Sequence, residues 1–477
     1  MVSNSGGFDA LVGDVSSAGL GLAAPFSRSG GTCASGGSVP PNSSCTLEIA
    51  FAPTALAFTA DRIELPYTWT NGQPRGTARP LVGNAVGTAV EISAGGYHMC
   101  ARTPSNGVRC WGDGVFGPLG YGNSESVGDD EFPGAAGAVS VGGSVVQLDA
   151  HYAKTCAVLS SGALRCWGLN SWGELGYGHN AENIGDDELP STAGDALVGG
   201  TVVRVAVGHN HVCAQLSAGN VRCWGYGAAI GHATSDFIGD DEPPSSAGDV
   251  NVGGTVVQLV SGSSHVCALL NTGKVRCWGY NGLGQLGYGH TNDIGDNEFP
   301  SSAGDVNVGG NPVQLTAGSA HTCALLDTGN VRCWGANAYG QLGHGHTNII
   351  GDGELPAAAG DVPVGGRVVQ IEAGGEHTCA VLDTGGVRCW GKNAWGALGY
   401  GHTNSIGDDE LPSAVGDVSV GGSVTQVAAG EFHTCALLTT GRVKCWGSGV
   451  NGLMGHAARD SYGDNELPSS YGPVPLY

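Results

Sequence analysis

Residues 313–335 read VQLTAGSAHTCALLDTGNVRCWG, and this stretch occurs, with small changes, seven times in the chain. Each copy continues into a short Gly turn and an acidic loop, which in this copy are Gln341-Leu342-Gly343 and Ile350-Gly351-Asp352-Gly353-Glu354-Leu355-Pro356. The first cysteines of successive copies are 54–57 residues apart. Repeats of this length, built from short apolar runs and Gly turns, are typical of propeller blades rather than helical solenoids. The sequence therefore predicts an all-β chain dominated by a seven-bladed β-propeller.

Each copy contains a predicted β-hairpin with a three-residue loop. In the fifth copy, apolar runs flank Asp327-Thr328-Gly329, which suits a type I turn followed by a residue with positive φ. That last position is Gly in six copies and Asn106 in the first, the two residue types that best tolerate left-handed backbone. Counting outwards from the loop places Cys323 opposite Cys333 in a non-hydrogen-bonded pair, with Cα atoms roughly 4.5 Å apart. The hairpin is therefore predicted to hold a cross-strand disulfide, at the short edge of the usual range.

The same ten-residue separation recurs in all seven copies, which buried free thiols or zinc ligands would explain less well. All sixteen cysteines can be paired. The predicted disulfides join Cys33 with Cys45, Cys100 with Cys110, Cys156 with Cys166, Cys213 with Cys223, Cys267 with Cys277, Cys323 with Cys333, Cys379 with Cys389 and Cys435 with Cys445. Persistent disulfides indicate an oxidising compartment, so we expect an extracellular or cell-surface protein. Residues 1–14 do not resemble a signal peptide, so we expect the export signal in a missing N-terminal part of a longer precursor.

The net charge of −23 argues against binding to nucleic acid through phosphates. Eighteen of the 42 acidic residues lie in seven equivalent loops, which would form a ring on one face if the blades are arranged radially. One interpretation is a turn stabilised by Asp with a solvated Glu, and the other is weak calcium binding by carboxylates and carbonyls. No other cofactor is expected. The candidate calcium ligands are Asp129, Glu131, Asp186, Glu188, Asp240, Glu242, Asp296, Glu298, Asp352, Glu354, Asp408, Glu410, Asp464 and Glu466.

Three other sets of residues recur at fixed positions. Six copies have a His two residues before the first Cys, and each is predicted to hydrogen-bond the backbone of its own blade rather than a metal; the second copy has Lys154 instead. The Trp after each second Cys is predicted to pack between blades. Trp172, Tyr339 and Trp395 lie in the next loop, where they either anchor a partner or pack against the Gly turn. No nucleophile, base and oxyanion donors assemble, so no catalytic residues are predicted.

Residues 1–86 lack the repeat. Their short alternating runs, punctuated by Pro and Gly, predict antiparallel strands. The pattern of residues 25–33 and 43–53, with a cysteine in each, resembles the C-terminal part of the immunoglobulin-like choice-of-anchor modules of secreted bacterial proteins. The resemblance implies a small partial β-sandwich over residues 1–86, with the propeller over residues 87–477.

The repeats themselves resemble the regulator of chromosome condensation family, whose members are seven-bladed β-propellers. The resemblance is carried by His321-Thr322-Cys323-Ala324-Leu325-Leu326, Gly329-x-Val331, Trp334-Gly335-x-Asn337 and Tyr339-Gly340-Gln341-Leu342-Gly343, with counterparts in the other copies. In the fifth copy it implies an inner strand at residues 313–317, the disulfide hairpin, and an outer strand near residues 361–364. Either residues 473–477 or residues 78–82 would supply the last outer strand.

A propeller is a platform whose loops are freely re-used, so the fold leaves the function open. We expect a secreted or surface-displayed bacterial module, non-catalytic and without a membrane span, that binds another protein or a surface polymer. Secreted members of this propeller class include a β-lactamase inhibitor. We expect a monomer, or one part of a longer multidomain chain.

The alternative function is guanine-nucleotide exchange on a small GTPase with docking to chromatin. Against it stand the predicted disulfides, the lack of a basic tail, and repeats too uniform to contain a wedge-like insertion. A propeller lyase or hydrolase is a more distant alternative and would require an asymmetric charged pocket.

Overall fold

The computed structural model describes residues 87–234 and 236–477, and the backbone of eight strands within the first 84 residues. The chain divides into two compact units. One consists of Met1–Gly87 with Pro475–Tyr477, and the other of Thr88–Val474.

The strands of the first unit pair in antiparallel fashion. They are β1 (Val2–Ser3), β2 (Ala10–Val12), β3 (Phe26–Gly30), β4 (Ser38–Val39), β5 (Ser44–Cys45), β6 (Glu48–Phe51), β7 (Phe58–Trp69) and β8 (Pro74–Asn84). One sheet has the order β4-β2-β7-β8, while β1 pairs with β5 and β3 with β6. Cys45 lies in β5, whereas Cys33 lies outside the described residues, so their disulfide stays a prediction.

The second unit is a ring of seven three-stranded antiparallel sheets, here called blades 1 to 7, and each is built from one continuous stretch of chain. Blades 1 to 3 contain β9 (Glu91–Ala94), β10 (His98–Arg102), β11 (Val108–Gly112); β12 (Val145–His151), β13 (Lys154–Leu159), β14 (Leu164–Gly168); and β15 (Val202–Val207), β16 (His211–Leu216), β17 (Val221–Gly225). Blades 4 and 5 contain β18 (Val256–Ser261), β19 (His265–Leu270), β20 (Val275–Gly279); and β21 (Pro312–Ala317), β22 (His321–Leu326), β23 (Val331–Gly335). Blades 6 and 7 contain β24 (Val368–Ala373), β25 (His377–Leu382), β26 (Val387–Gly391); and β27 (Val424–Ala429), β28 (His433–Leu438), β29 (Val443–Gly447).

The helices of the second unit are single turns in the loops. Four are α-helical, namely α1 (Pro190–Ala193), α2 (Pro244–Ala247), α3 (Pro356–Ala359) and α4 (Pro412–Val415). Five are 3₁₀ turns at Ala228–Ile230, Pro300–Ser302, Ala394–Gly396, Val450–Gly452 and Pro468–Ser470. In the part of the chain that the structure describes, no helix is long and apolar enough to span a membrane.

The hairpin of each blade has the register that the sequence predicts. In blade 5, Leu326 donates its N–H to the carbonyl of Asn330 at 2.8 Å, and Cys323 lies directly opposite Cys333. The two cysteines form a disulfide, and their Cα atoms are 4.1 Å apart. The cross-link thus holds the strands slightly closer than the roughly 4.5 Å typical of a non-hydrogen-bonded pair.

The other six blades repeat this cross-link at the equivalent position. Their Cα separations are 4.0–4.1 Å, and each pair is ten residues apart in the chain. The six disulfides join Cys100 to Cys110, Cys156 to Cys166, Cys213 to Cys223, Cys267 to Cys277, Cys379 to Cys389 and Cys435 to Cys445. Fourteen cysteines are therefore linked within their own blades, and no free cysteine occurs among the described residues.

The expected outer strand is reduced to a single backbone hydrogen bond to the third strand. In blade 5, the N–H of Val362 donates to the carbonyl of Val331 at 2.8 Å, and Arg332 contacts Asp361 with 2.9 Å between Nε and Oδ1. No ladder follows because the chain turns away after one bond, so the prediction of a fourth strand here is wrong. In blade 7, Val474 makes the same bond to Val443, while residues 78–82 belong to β8 and pair with β7.

The seven Trp residues form the core between blades, as the sequence predicts. Each is fully buried. Trp334 donates its Nε1–H to the carbonyl of Gln285 in the preceding blade at 2.9 Å, and Trp111 donates to Leu453 of blade 7 at 3.0 Å. The contact between blades 7 and 1 therefore repeats the contacts elsewhere and closes the ring.

Candidate functional site

Four of the six recurring His residues hydrogen-bond a Thr of the neighbouring blade, so the prediction that each bonds its own blade's backbone is wrong. Nε2 of His321 lies 3.0 Å from the hydroxyl oxygen of Thr378, in the next blade. Equivalent pairs join His98 to Thr155, His265 to Thr322 and His377 to Thr434, at 2.7–2.9 Å. Burial lowers the pKa of His321 to about 3, so its imidazole is neutral at physiological pH. No group of three metal ligands in the described ranges includes these imidazoles.

Lys154 takes the place of the His in blade 2 and forms a buried ion pair. Its Nζ lies 3.6 Å from Oε1 of Glu174, and both side chains are inaccessible to solvent. Nζ also donates to the carbonyl of His209. Burial lowers the pKa of Lys154 to about 8, and Glu174 opposes that shift. Breaking one partner of such a pair would leave an uncompensated charge in the core, so the pair has a structural role.

The acidic loops pack against the preceding blade. For example, Gly345 of blade 5 donates its N–H to the carbonyl of Gly407 at 3.0 Å, directly before Asp408. In four loops, ligand atoms of three carboxylates lie within 4.8 Å of one another; these are Asp129, Asp130, Glu131; Asp186, Asp187, Glu188; Asp240, Asp241, Glu242; and Asp408, Asp409, Glu410. Burial and the adjacent Asp residues raise the pKa of Glu131 and Glu188 to about 7. In the same loops, both Glu side chains accept a hydrogen bond from a Gly N–H, which is sufficient to explain them as structural residues of the loop. Calcium binding stays a prediction.

The inner strands surround a central channel with a cavity of about 310 Å³. A ring of Gln side chains stabilises it: Gln314, for example, donates to the carbonyl of Ile371 at 2.9 Å and accepts from the same residue's N–H at 3.1 Å. Five blades use this arrangement, through Gln147, Gln258, Gln314, Gln370 and Gln426. Blade 1 has Glu91, which accepts from Leu148, and blade 3 has an exposed Arg204.

Two carboxylates break the repeat inside this channel. Asp149 of blade 2 and Glu372 of blade 6 occupy the same position of the repeat. Enclosure among the inner strands raises the pKa of Asp149 to about 7 and that of Glu372 to about 8, and the charge of Asp149 contributes to the latter. Asp149 accepts a 2.7 Å hydrogen bond from the N–H of Val207. Among the acids of the channel wall, these two have the most strongly raised pKa values, and neither was predicted as a site residue from the sequence.

One end of the propeller, here called the loop face, is where the loop after each third strand meets the turn after each inner strand. In blade 6, Lys392 of the loop donates its N–H to the carbonyl of Glu376 in the turn at 2.9 Å. Lys392 also pairs with the Glu376 carboxylate, and its Nζ lies 4.5 Å from the ring centre of Tyr339 in blade 5. Tyr339 is therefore half-buried beneath a cation, whereas Trp395 in the blade 6 loop is 57% exposed.

Trp172 belongs to a second aromatic group on the loop face. It stacks on Tyr226 and Phe237 of blade 3, with 5.3 Å between ring centres in both pairs, and Tyr226 lies 4.9 Å from Phe237. All three remain more than a third exposed. Trp172 was selected from the sequence, whereas Tyr226 and Phe237 were missed, although Phe237 is the single aromatic residue at its position among the seven copies.

Three aromatic residues of the loop face have left-handed backbone conformations. They are Phe116 (φ 70°), Tyr152 (φ 50°) and Trp395 (φ 62°). Phe116 occupies the position in blade 1 that Trp395 occupies in blade 6, and 44% of it is exposed. Aligning the copies at this position would have found Phe116 from the sequence. Bulky side chains are unusual at positive φ, where Gly carries no steric penalty.

The geometry defines a disulfide-linked seven-bladed β-propeller with carboxylates in its channel and exposed aromatic side chains on its loop face. Comparison with known families identifies the repeat. Two models described as the Regulator of chromosome condensation (RCC1) repeat match, one at residues 89–117, 256–285, 313–341, 368–396 and 424–453, the other at 161–215, 272–325, 328–381 and 384–437. The matches together cover more than half of the chain, which therefore belongs to the family of RCC1-repeat proteins.

Relatives with this repeat differ in what they do. The ultraviolet-B receptor UVR8 of Arabidopsis thaliana is 29% identical over 370 residues, covering 76% of this chain and 78% of the receptor. The human E3 ubiquitin-protein ligase HERC2 is 30% identical over 356 residues, covering 74% of this chain but 7% of the ligase. The chain thus matches a small part of that enzyme's length.

Solved structures share the fold. Prp20p of Saccharomyces cerevisiae superposes with a TM-score of 0.55 at 20% identity, covering 72% of this chain and 80% of its own. Human WBSCR16 gives a TM-score of 0.58 at 20% identity, with 76% and 90% covered. At this identity, the comparison establishes the propeller alone.

Proposed function

We propose that this chain is a non-catalytic binding module that docks a partner protein on its loop face. Trp395 carries the proposal, because its side chain is 57% exposed on a residue with φ of 62°. The indole ring of Trp395 gains little free energy from burial, and a left-handed backbone conformation disfavours any bulky residue. Strain of this kind is typical of functional positions, and Trp is the residue type most enriched at the energetic centres of protein interfaces.

Other loop-face residues support the same surface. Phe116, also at positive φ, and the stack of Trp172, Tyr226 and Phe237 are exposed. Phe116, Trp172 and Trp395 occupy the same position of the repeat, so exposed aromatic side chains recur at this position around the face. The fold is used for protein binding elsewhere, since the Prp20p structure is described together with binding to Gsp1p and histones.

The proposal also concerns where the protein is located. We place the protein outside the cytosol, secreted or displayed on a cell surface, because its blades hold seven disulfides that cytosolic reductants would oppose. The resemblance of residues 1–86 to modules of secreted bacterial proteins supports a bacterial source. We also propose that the first 86 residues form an immunoglobulin-like anchor module. The antiparallel pairings of β2, β4, β7 and β8 support this part.

Site-specific photo-cross-linking tests the binding surface. The full chain would carry a benzophenone amino acid at Trp395 or, as a matched control, at Val313, which is 53% exposed. Val313 lies near the start of β21, and that strand runs towards the loop face, so the control position is at the opposite end of the propeller. Both proteins would be incubated with secreted and surface fractions of the source cells, and cross-linked species would be identified by mass spectrometry.

The expected result is a defined protein cross-linked from Trp395 and absent from Val313. The variant W172A/F237A, with the probe at Trp395, should weaken that product if the partner also covers the stack formed by Trp172, Tyr226 and Phe237. Equal labelling from both positions, or capture of polysaccharide alone, would overturn a protein-docking role for this face.

A further inference from the structure

The channel contains a pair of opposed acidic groups that the proposed function does not use. Asp149 and Glu372 occupy equivalent repeat positions in blades 2 and 6 of a seven-bladed ring. They therefore lie at the same depth and on opposite sides, with channel space between them. The other five blades have Ser93, Ala206, Val260, Thr316 and Ala428 at this position.

The charge of Glu372 is not compensated by the described protein. Its carboxylate accepts no hydrogen bond and forms no ion pair with the described residues, and it lines the channel wall. Asp149 accepts a hydrogen bond from the N–H of Val207 in the neighbouring blade. The Gln side chains nearby are already committed to the neighbouring strands, as Gln314 and Gln370 show. A carboxylate without a partner in such a space favours either protonation or a bound cation.

We propose that the channel binds a primary alkylammonium group between Asp149 and Glu372. An ammonium group has three N–H donors and no acceptor, so two carboxylates on opposite sides of the channel complement it. Its alkyl chain would extend along the cavity of about 310 Å³. Glu431 lines the opening of the channel on the loop face and adds a third acid along the route of entry.

A divalent metal ion fits this site less well. Calcium requires about six to eight oxygen ligands. Within the described residues, groups of three metal ligands within reach of one another occur in the acidic loops and not in the channel. The amide oxygens of Gln314 and Gln370 accept backbone N–H groups, which leaves few free oxygens at this depth.

The ammonium group could come from a free diamine or from a lysine side chain of the docked partner. The second source rests on the proposed function, whereas the first does not. Both have the same chemistry at Asp149 and Glu372, so binding by small amines tests the site without knowledge of the partner.

Binding should strengthen as pH rises from 6 to 9. The pKa values of Asp149 and Glu372, about 7 and about 8, mean that both acids lose their protons over this range, while an alkylammonium stays charged. Other ionisable groups face the same space. Glu91 is paired with Arg102, His151 is kept neutral by a pKa of about 3, Arg204 lies in the wall, and Glu431 has a pKa raised mainly by burial.

Isothermal titration calorimetry on the full chain tests the proposal. The probes are 1,5-diaminopentane, Nα-acetyl-lysine methylamide with its free ε-amino group, 1-pentanol as the uncharged control, and calcium chloride. The variants are D149N and E372Q, which keep the side-chain shape, and E182Q, which removes one exposed carboxylate of a loop. Thermal unfolding of each variant shows whether it is folded.

The expected result is saturable binding of both amines at pH 8.5, no binding of pentanol, and a loss of about tenfold or more in D149N and E372Q with E182Q unchanged. Binding of the diamine alone would identify a free amine as the source. No amine binding at millimolar concentration, equal binding by E372Q, or tighter calcium binding that E372Q abolishes would each overturn the proposal. W395G should still bind the diamine, so failure of the loop face and failure of the channel are distinguishable.

Discussion

The imidazole Nε2 of His321 lies 3.0 Å from the hydroxyl oxygen of Thr378, across a boundary between blades. The hydroxyl donates its own proton to the carbonyl of Gln341, at 2.9 Å, so the imidazole must be the donor in this pair. The arrangement occurs at four of the seven boundaries in the described ring. In His211 and His433, by contrast, neither ring nitrogen has a hydrogen-bond partner among the described residues. The boundaries between blades are therefore not equally stabilised.

This inequality predicts a difference between two otherwise matched substitutions. H321A removes a buried hydrogen bond between blades, whereas H433A removes an imidazole that has none. Both create similar cavities, so H321A should lower the free energy of unfolding by about 1–2 kcal/mol more than H433A. Urea denaturation followed by tryptophan fluorescence measures the difference. Equal losses would show that the hydrogen bond does not stabilise the boundary.

The disulfides predict a mass and a stability effect. The intact mass without reductant should lie sixteen hydrogens below the reduced mass, with fourteen from the seven propeller disulfides and two from Cys33 and Cys45. C323A/C333A should lower the free energy of unfolding by about 2–3 kcal/mol, because the cross-link limits the conformational entropy of the unfolded chain. Mass spectrometry after thiol blocking and urea denaturation measure the two effects. Sixteen alkylated thiols in the native protein would contradict the assignment and favour a cytosolic role.

Glu372 predicts an unusual pH dependence of stability. Its pKa is about 8 in the folded protein and near 4.5 when exposed, so folding favours its protonated form. The free-energy cost of burying this carboxylate in its ionised form is therefore absent below about pH 4.5 and grows as pH rises towards 8. E372Q should raise the free energy of unfolding at pH 8.5 by about 1–2 kcal/mol, allowing for channel water, and change little at pH 5. Urea denaturation of both proteins at the two pH values measures the difference in free energy of unfolding. A gain that is the same at both pH values would exclude titration of Glu372 as its cause.

Trp395 predicts a separation of stability from binding. W395G should stabilise the fold by about 1 kcal/mol, since it relieves left-handed strain on an exposed residue, and should lose the partner. A457G is the control, because Ala457 also has positive φ (56°) and Gly occupies the equivalent position in five blades. It should stabilise the protein and keep binding. Thermal unfolding and a binding assay with the cross-linked partner measure both effects. Destabilisation by W395G would show that the ring packs for folding.

Much of the fold follows from local sequence. The Gly in the hairpin loop sets the register, and the register alone places Cys323 opposite Cys333. Contacts between copies were harder to infer, because His321 and Thr378 are 57 residues apart. A signal was nevertheless present: a bonded His in one copy is followed by His-Thr-Cys or Lys-Thr-Cys in the next.

The channel acids were missed for a related reason. Asp149 and Glu372 look unremarkable within their own strands, and only the closed ring brings blades 2 and 6 to opposite sides of one space. The exposed aromatics were selected in part, because their residue type is visible in the sequence. The backbone strain at Phe116 and Trp395 is not, since it depends on how each loop packs against its neighbour.

Because each blade is one continuous stretch of chain, no strand among the described residues of the ring fastens its two ends together. Blade 7 meets blade 1 through the bonds of Gln426 to Ile92 and of Trp111 to Leu453, which are the same kinds of bond found at other boundaries. The boundary between blades 7 and 1 thus shares its Gln and Trp bonds with other boundaries, although it lacks the bond from His to Thr that four of them have. A gene rearranged to start between blades 4 and 5, with the old ends of the propeller joined, should still produce the same ring.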